Sequence, residues 1–282
     1  MEGRLHACTA LTEPDAGSDL AALRTTAVPR PGGGRIDGWQ LDGAKTWIIN
    51  ARRADLAIVY ARCAGHEGDH DLAAFLVDLH APGVTRAACD SPLSQHAIGS
   101  GSLRFDGVAL EAEAMILAPG IARAEILGEL NTARAYVAAM CCAMLAAALE
   151  ETARYGQERR TFGKPLAAHQ GWRLPLARAA TDLAAAQALT DRAAAALDAG
   201  DDAQLLAAQA KVHAVAQCQL HLPRLLQAQG ARGHAPGHVT VRHLTAVQSA
   251  ALTDGAEDIL LERIARLSGL AARPPAPSKG AR

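Results

Sequence analysis

Apolar and polar positions change their period part way along the chain. Up to residue 119, short runs rich in β-type residues occur at Thr25–Val28, Trp39–Lys45, Leu56–Arg62, Leu72–Asp78 and Leu103–Val108. The turns between them carry Gly and Pro, as in Pro31-Gly32-Gly33-Gly34 and Ala81-Pro82-Gly83, residues that free or fix the backbone where a chain reverses. Strands this short and this closely spaced predict a small antiparallel β-barrel or sandwich. After Pro119-Gly120 the pattern turns helical over Ala124–Gln157, Ala168–Ala199, Asp202–Gln229 and Thr240–Leu267. Gly200-Asp201-Asp202 predicts a stop for the second helix and an N-cap for the third. Leu205, Leu206, Ala210, Val212 and Val215 spread over much of one helix surface. Helices of that kind are buried on more than one side, as in a bundle that also oligomerises. The expected fold class is therefore α+β: a β-domain over residues 1–119, a four-helix bundle over 120–270, and a Pro- and Ser-containing disordered tail over 271–282.

Composition narrows the function classes. Half of the 282 residues are apolar, mostly Ala and Leu, with three Trp, three Tyr and three Phe; Ala and Leu are the strongest helix formers. A formal net charge of −1 gives no electrostatic case for nucleic acid or an anionic membrane. No uninterrupted apolar run reaches the length of about 18 residues that a membrane span needs, and Met1–Thr9 does not read as a signal peptide. The six cysteines form no CxxC pair and read as reduced, buried thiols of a cytoplasmic protein. Cys63, His66, Asp69, His70 and Asp71 make a metal-like cluster, but they fall in a hairpin connection and read as a polar loop. His221, His234, His238 and His243 match no ligand-pair spacing, so no metal site is expected.

The most specific stretch is Leu11-Thr12-Glu13-Pro14-Asp15-Ala16-Gly17-Ser18-Asp19. It offers a Pro-fixed turn, a Gly for close backbone approach and two hydroxyls able to bond a heterocycle or phosphate; alone, it equally suits a capped loop. A second block runs Gly43-Ala44-Lys45-Thr46-Trp47-Ile48-Ile49-Asn50, followed by Ala54-Asp55. The helical half adds Tyr155, Arg159, Phe162-Gly163-Lys164-Pro165 and Gln170, then Gln227-Ala228-Gln229-Gly230-Ala231-Arg232-Gly233, then Thr253-Asp254-Gly255-Ala256-Glu257-Asp258-Ile259. Taken in order, these blocks resemble the acyl-CoA dehydrogenase signatures TEPxAGSD, GxKxWITN…AD, YxxxRxxFGKP…Q, QxxGGxG and YEGTxxI. The chain resembles the middle β-domain and C-terminal helical domain of that family.

The resemblance implies FAD held between the two domains. Leu11, Thr12, Gly17 and Ser18 would approach the flavin and its phosphates, Trp47 would cover one ring face, and Ile49 would face the ring. Arg159 and Phe162 would hold the adenine-nucleotide half, with Gln170, Gln227, Gly230 and Asp258 completing the cofactor set, partly from a neighbouring subunit. A guanidinium suits pyrophosphate on chemistry as well as by likeness, although Arg159 alone also reads as a solvated helix charge. The implied reaction is α,β-desaturation of an acyl thioester: Asp254 removes the α-proton, while Ser18, Asn131 and Arg134 lie along the substrate. Asp254 stands where the family has Glu, and its ordinary reading is a helix-capping residue before Gly255.

Several departures favour other readings. Ile49 replaces a Thr whose hydroxyl the family aims at the flavin, Thr245-Ala246 stand for Arg-Asp, Ala256 stands for Thr, and Ala231 stands for a second Gly. Ala133 removes an alternative position for the base. A non-catalytic structural subunit and a flavin oxidase of the same superfamily therefore stand beside the desaturase. The family's N-terminal helical domain has no counterpart here, which predicts a partner chain that supplies those helices, a truncated relative, or a homo-oligomer. Acyl chain, carrier (coenzyme A or carrier protein) and electron acceptor stay open.

Overall fold

The computed structural model describes residues 3–32, 35–65, 71–89 and 99–272. The expected polar loop lies mostly outside them, at His66, Asp69 and His70, as do Gly33, Gly34 and nearly all of the expected tail. No cluster of three His, Cys, Asp or Glu suited to a metal occurs among the described residues. The chain divides into two compact units, Met1–Glu129 and Leu130–Arg282.

The first unit is one sheet of eight strands: β1 (Ala7–Ala10), β2 (Thr26–Gly32), β3 (Arg35–Ile48), β4 (Leu56–Cys63), β5 (Leu72–Asp78), β6 (Val84–Ala88), β7 (Gly101–Glu111) and β8 (Met115–Leu117). Their order is β6-β7-β3-β2-β4-β5-β8, with β1 beside β4. Hairpin-type neighbours pair antiparallel, as expected, whereas β1 and β2 each run parallel to β4, so the sheet is mixed. β7 alternates buried and exposed residues over most of its length, the period of a strand with one wet face. Its inward residues Leu103, Phe105, Val108 and Leu110 join Trp39, Leu41, Val59, Phe75 and Val77 in one core. Trp39 meets Phe75 edge to face at 5.5 Å between centroids. Two register shifts in β3, at Leu41/Gly43 and Lys45/Ile48, bend the strand before and at the second motif, as bulges do.

In the second unit α1 (Ala122–Glu158) leads to a tiny hairpin, β9 (Arg160–Thr161) and β10 (Lys164–Pro165); α1 begins just inside the first unit. Then come α2 (Gln170–Asp198), α3 (Gln204–Ala228), α4 (Val239–Leu252) and α5 (Glu257–Leu267). Small residues such as Ala138, Ala148, Ala186, Ala193, Ala210 and Ala214 are fully or nearly fully buried, and they let helix axes approach closely. Val137, Leu145, Leu176, Leu183, Val215, Leu222, Leu225 and Val247 fill the space between. By length and mean hydropathy (1.6 over its most apolar window) α1 is able to cross a membrane, but half of that window is buried inside the fold. Core packing accounts for its apolar character. The stop after α2 falls where expected, with Gly200 left-handed at φ 75°, and the Asp202 carboxylate accepts from the Gln204 amide at 3.1 Å. All six cysteines are free thiols, and five of them are buried.

The expected fourth helix, Thr240–Leu267, is two helices. The chain breaks at Thr253–Ala256 because Asp254 (φ 56°) and Gly255 (φ 114°) leave the helical region. A Cβ on Gly255 would stand 3.0 Å from Leu260 Cδ2. Apolar positions on both sides of the break preserve a helical rhythm, which hides the interruption in the pattern alone.

Candidate functional site

In the β-unit the first motif is a loop clamped to β3. Glu13 and Ala16 bond each other's main chains at 2.8 and 3.3 Å, closing the loop, and the Thr46 amide donates to Thr12 O at 2.9 Å. The clamp itself is a buried ion pair. Lys45 Nζ donates to Glu13 Oε1 at 2.8 Å and to Leu11 O at 2.9 Å, while the Glu13 carboxylate also accepts from the amides of Arg24 at 2.6 Å and Thr25 at 2.9 Å. Burial alone pushes Glu13 up, but its bonds from Lys45, Thr25 and Arg24 outweigh that and hold it below the usual carboxylate value. Burial pushes Lys45 down to about 8, against the attraction of Glu13. Gly43 is needed at this junction, since a Cβ there would lie 2.7 Å from the backbone of Thr25.

This clamp brings Leu11, Thr12, Gly17 and Ser18 into one loop tied next to Trp47 and Ile49. Trp47 is 57% exposed and Ile49 46% exposed, although the intervening Ile48 is buried. Trp47 has φ 58°, a left-handed conformation costly for a bulky residue. More than half of that indole is left uncovered by the fold. The hydroxyls of Thr12 and Ser18 make no hydrogen bond among the described residues. Glu13 and Lys45 were not singled out by sequence reasoning, although both lie inside the two motifs.

In the helical unit, Arg159, Phe162, Gln170, Gln227 and Gly230 gather around the β9–β10 hairpin and the end of α3. Phe162 (φ 48°) and Gly163 (φ 79°) are both left-handed between paired Thr161 and Lys164, the signature of a type I′ turn. Asn-Gly is the usual choice there; here the tip carries a Phe that is 96% exposed. Trp172 Nε1 donates to Ala228 O at 3.0 Å, joining the start of α2 to the end of α3. Gly156 makes room for it, because a Cβ there would fall 2.0 Å from the indole. Gly230 is left-handed, beside the hydroxyl of Tyr155. The buried Gln229 amide bonds Thr152 and Thr240 at 2.9 and 3.2 Å, fixing the loop from inside. The side chains of Arg159, Gln170 and Gln227 are exposed and make no hydrogen bond among the described residues.

A second group forms at the α4–α5 break. Arg134, 4% exposed, donates from Nε to Asp254 O at 2.9 Å and from Nη1 to Asn131 Oδ1 at 2.8 Å. The buried Lys211 bonds the main-chain carbonyls of Thr253 and Gly255. The Asp254 carboxylate itself makes no hydrogen bond among the described residues. Burial raises its pKa, against the pull of Lys211 and Arg134. Burial, reinforced by Arg263, lowers Arg134 to about 10, with Asp254 opposing. Three predicted residues, Asn131, Arg134 and Asp254, thus come together; Asp258 is exposed in the first turn of α5. Lys211 escaped sequence reasoning, its only signal being one ammonium in the apolar run of α3.

The departures also have local accounts. Ala256 is the N-cap of α5 and makes no side-chain cap bond; a Thr there would supply one, an interaction typically of about 1 kcal/mol. Thr245 turns its hydroxyl back to Arg242 O at 2.9 Å, and Ala246 is buried in the bundle core. Ala231 is exposed.

Residues 8–108 match the acyl-CoA dehydrogenase middle domain and residues 123–268 the acyl-CoA dehydrogenase C-terminal domain. Glutaryl-CoA dehydrogenase of Desulfococcus multivorans is 36% identical over 225 residues, 78% of this chain and 56% of that protein. The chain therefore spans little more than half the length of that relative. Butyryl-CoA dehydrogenase from Megasphaera elsdenii superposes with a TM-score of 0.89 at 27% identity, covering 95% of this chain and 69% of that one. The structure of PigA with FAD and proline gives 0.87 at 28% identity, with the same two coverages, 95% and 69%. Two domain matches in series, an arrangement of motifs that the folded loops hold in place, and superposition over nearly the full chain lead to one assignment: this chain belongs to the acyl-CoA dehydrogenase family, whose members depend on FAD.

Proposed function

We propose that this chain carries the flavin site and the catalytic base of an enzyme that desaturates the α,β-bond of an acyl thioester. The observation that carries the reading is Asp254: a carboxylate without a hydrogen bond, raised in pKa by burial, on a left-handed residue whose backbone is held by buried cations. A carboxylate raised in that way is a stronger proton acceptor than a free one, as a base that takes a weakly acidic proton needs. The residues also suit FAD, because Trp47 and Phe162 are exposed and the polar groups of Thr12, Ser18, Arg159, Gln170 and Gln227 make no hydrogen bond among the described residues. Thr12, Gly17 and Ser18, with the Leu11 backbone, would hold the flavin end and Trp47 would cover a ring face beside the apolar Ile49. Arg159 and Phe162 would hold the adenine-nucleotide end, and Gln170, Gln227, Gly230 and Asp258 would complete it across a subunit boundary. When bound, FAD supplies the acceptor for the β-hydrogen with its electron pair. Asp254 takes the α-proton, and Arg134, Asn131 and Ser18 orient the thioester. The same reading includes assembly with further polypeptide, either a second copy or a distinct chain.

The test is spectroscopic. The purified chain, with any protein that co-purifies, is expected to show a flavin spectrum that bleaches anaerobically with an acyl thioester. Flavin that does not bleach points instead to an oxidase with another substrate, and a colourless, cofactor-free assembly points to a structural subunit.

Phe162 provides a separate check. Asn accepts the left-handed conformation more readily than Phe, and at 96% exposure almost no packing is lost. Phe162→Asn is expected to leave the unfolding free energy unchanged or raise it by up to about 1 kcal/mol, while FAD affinity falls. Denaturant titration and flavin retention measure the two effects independently; a destabilised protein that keeps its flavin would mean that the Phe serves the fold.

A further inference from the structure

Lys211 has no part in the chemistry above, yet it is one of the most deeply buried side chains in the molecule, 1% exposed. It lies on α3 among Ala207, Ala208, Ala210 and Ala214. An ammonium in such surroundings is costly unless its donors find acceptors. Two of them do, and both acceptors are main-chain carbonyls, those of Thr253 and Gly255. The carbonyl between them, Asp254 O, is taken by Arg134 at 2.9 Å. Three successive carbonyls in the break between α4 and α5 are therefore occupied by two cations, from α3 and α1. Residues 253–255 lie outside both helices, so their carbonyls take these side-chain donors in place of a helical ladder.

The arrangement turns two Lys211 donors and the Arg134 Nε–H to the backbone of the turn, sends another Arg134 donor to Asn131, and leaves the Asp254 carboxylate without a hydrogen bond among the described residues. We infer that Lys211 is a positioning residue: by clamping the carbonyls on either side of residue 254, it holds that residue left-handed and its carboxylate free to accept a proton. This role rests on the desaturase reading for its purpose, but not for its geometry. The charged groups around the turn are Lys211 of α3, Arg134 of α1 and Arg263 and Glu257 of α5. Only Lys211 and Arg134 act directly on Asp254, each favouring its ionised form.

Lys211→Met keeps most of the volume and removes the charge and donors. A buried charge replaced by an apolar side chain of similar size often leaves stability unchanged or improved, so a stability measurement alone does not distinguish a positioning role from a filling one. The discriminating measurement is the titration of Asp254 by carboxyl carbon NMR in the full chain, assigned by its absence in Asp254→Asn. In Lys211→Met the Asp254 midpoint is expected to move to higher pH by on the order of one unit, the effect of losing a nearby opposite charge. Reciprocally, the Lys211 ammonium in Asp254→Asn is expected to titrate at lower pH than in the wild type by a similar amount. This second arm leaves Lys211 in place and therefore stands even if the Met variant does not fold. With an active holoprotein, Lys211→Met is further expected to lower kcat about tenfold or more with KM within about twofold, and to move the acid limb of the profile upward. Unmoved titrations in both arms would overturn the inference. A wild type that no thioester bleaches would defeat the desaturase reading while leaving both titrations able to decide the role of Lys211.

Discussion

Asp254→Asn is expected to slow bleaching by thioester to a residual rate while leaving the flavin bound and the turn folded. Asn is nearly isosteric with Asp and is among the few residues at ease with the φ of 56° found there. The bonds that hold the turn come from Lys211 and Arg134 to main-chain carbonyls, so the substitution leaves each of them in place. What is lost is the proton acceptor and, with it, the negative charge that faces Lys211 and Arg134. A positioned base contributes about 10²–10⁴-fold to a proton transfer, and rapid-mixing bleaching rates should fall by that factor. Burial raises the Asp254 carboxyl above its ordinary 3.8. Activity of the wild type should thus fall on the acid side at a midpoint above that value, as the base takes up its proton. The Asn variant has no such limb to show. Undiminished turnover in it would remove Asp254 from the mechanism.

Much of this site was legible in the chain because its parts are local. Turn residues and β-type runs located five strands, and the motif blocks marked the loop at residues 11–19, the Trp47 segment, the segment around Phe162 and the 253–259 segment. Three strands gave no such signal. β1 is Ala-Cys-Thr-Ala and takes its place by parallel pairing with β4; β6 is almost wholly exposed; and β8 has three residues. Nor was the break between α4 and α5 legible, since Ala250 before it and Leu260 after it are both buried and keep the apolar rhythm going. The break depends on a backbone conformation, held by cations from α1 and α3, that the spacing of side chains does not record.

Backbone strain sharpens this distinction. Among the described residues four non-glycine positions are left-handed: Trp47, Asn50, Phe162 and Asp254. Three of them are candidate site residues that the motifs had already named. Such conformations persist only where surrounding contacts over-determine them, and they concentrate at functional sites. At Trp47 the surroundings are the clamped loop, at Phe162 the paired residues of a tight hairpin, and at Asp254 two buried cations. The residues that impose the conformation are less conspicuous than those that adopt it. Glu13 and Lys45 lie 32 positions apart, and Lys211 and Thr253 lie 42 apart; only folding makes neighbours of them.

The Glu13–Lys45 pair should therefore carry the largest stability effect of any single polar contact in the β-unit. Glu13→Gln leaves the Lys45 ammonium, whose side chain has 0% exposure, with neutral acceptors alone, Leu11 O and the Gln amide oxygen, and turns the Gln NH2 toward a group that was donating to the carboxylate. Breaking a buried pair from one side costs about 3–5 kcal/mol, because the charge left behind keeps its desolvation penalty. Urea titration of the variant should show a loss of that order, and flavin retention should fall with it, since the same clamp fixes the loop bearing Thr12 and Ser18. The double variant Glu13→Gln with Lys45→Met removes the stranded charge and is expected to recover part of the loss, a non-additivity that a double-mutant cycle measures directly. The pH dependence follows from the lowered Glu13 value. Its folded pKa lies below the ordinary 4.5, so its contribution is complete above that pH and disappears as pH falls through the folded value. Wild-type stability should accordingly bend downward in that acid range, and Glu13→Gln should not share the bend. A Gln variant as stable as wild type at neutral pH would mean that the loop is held by its main-chain bonds and by Pro14, with the buried pair contributing nothing net.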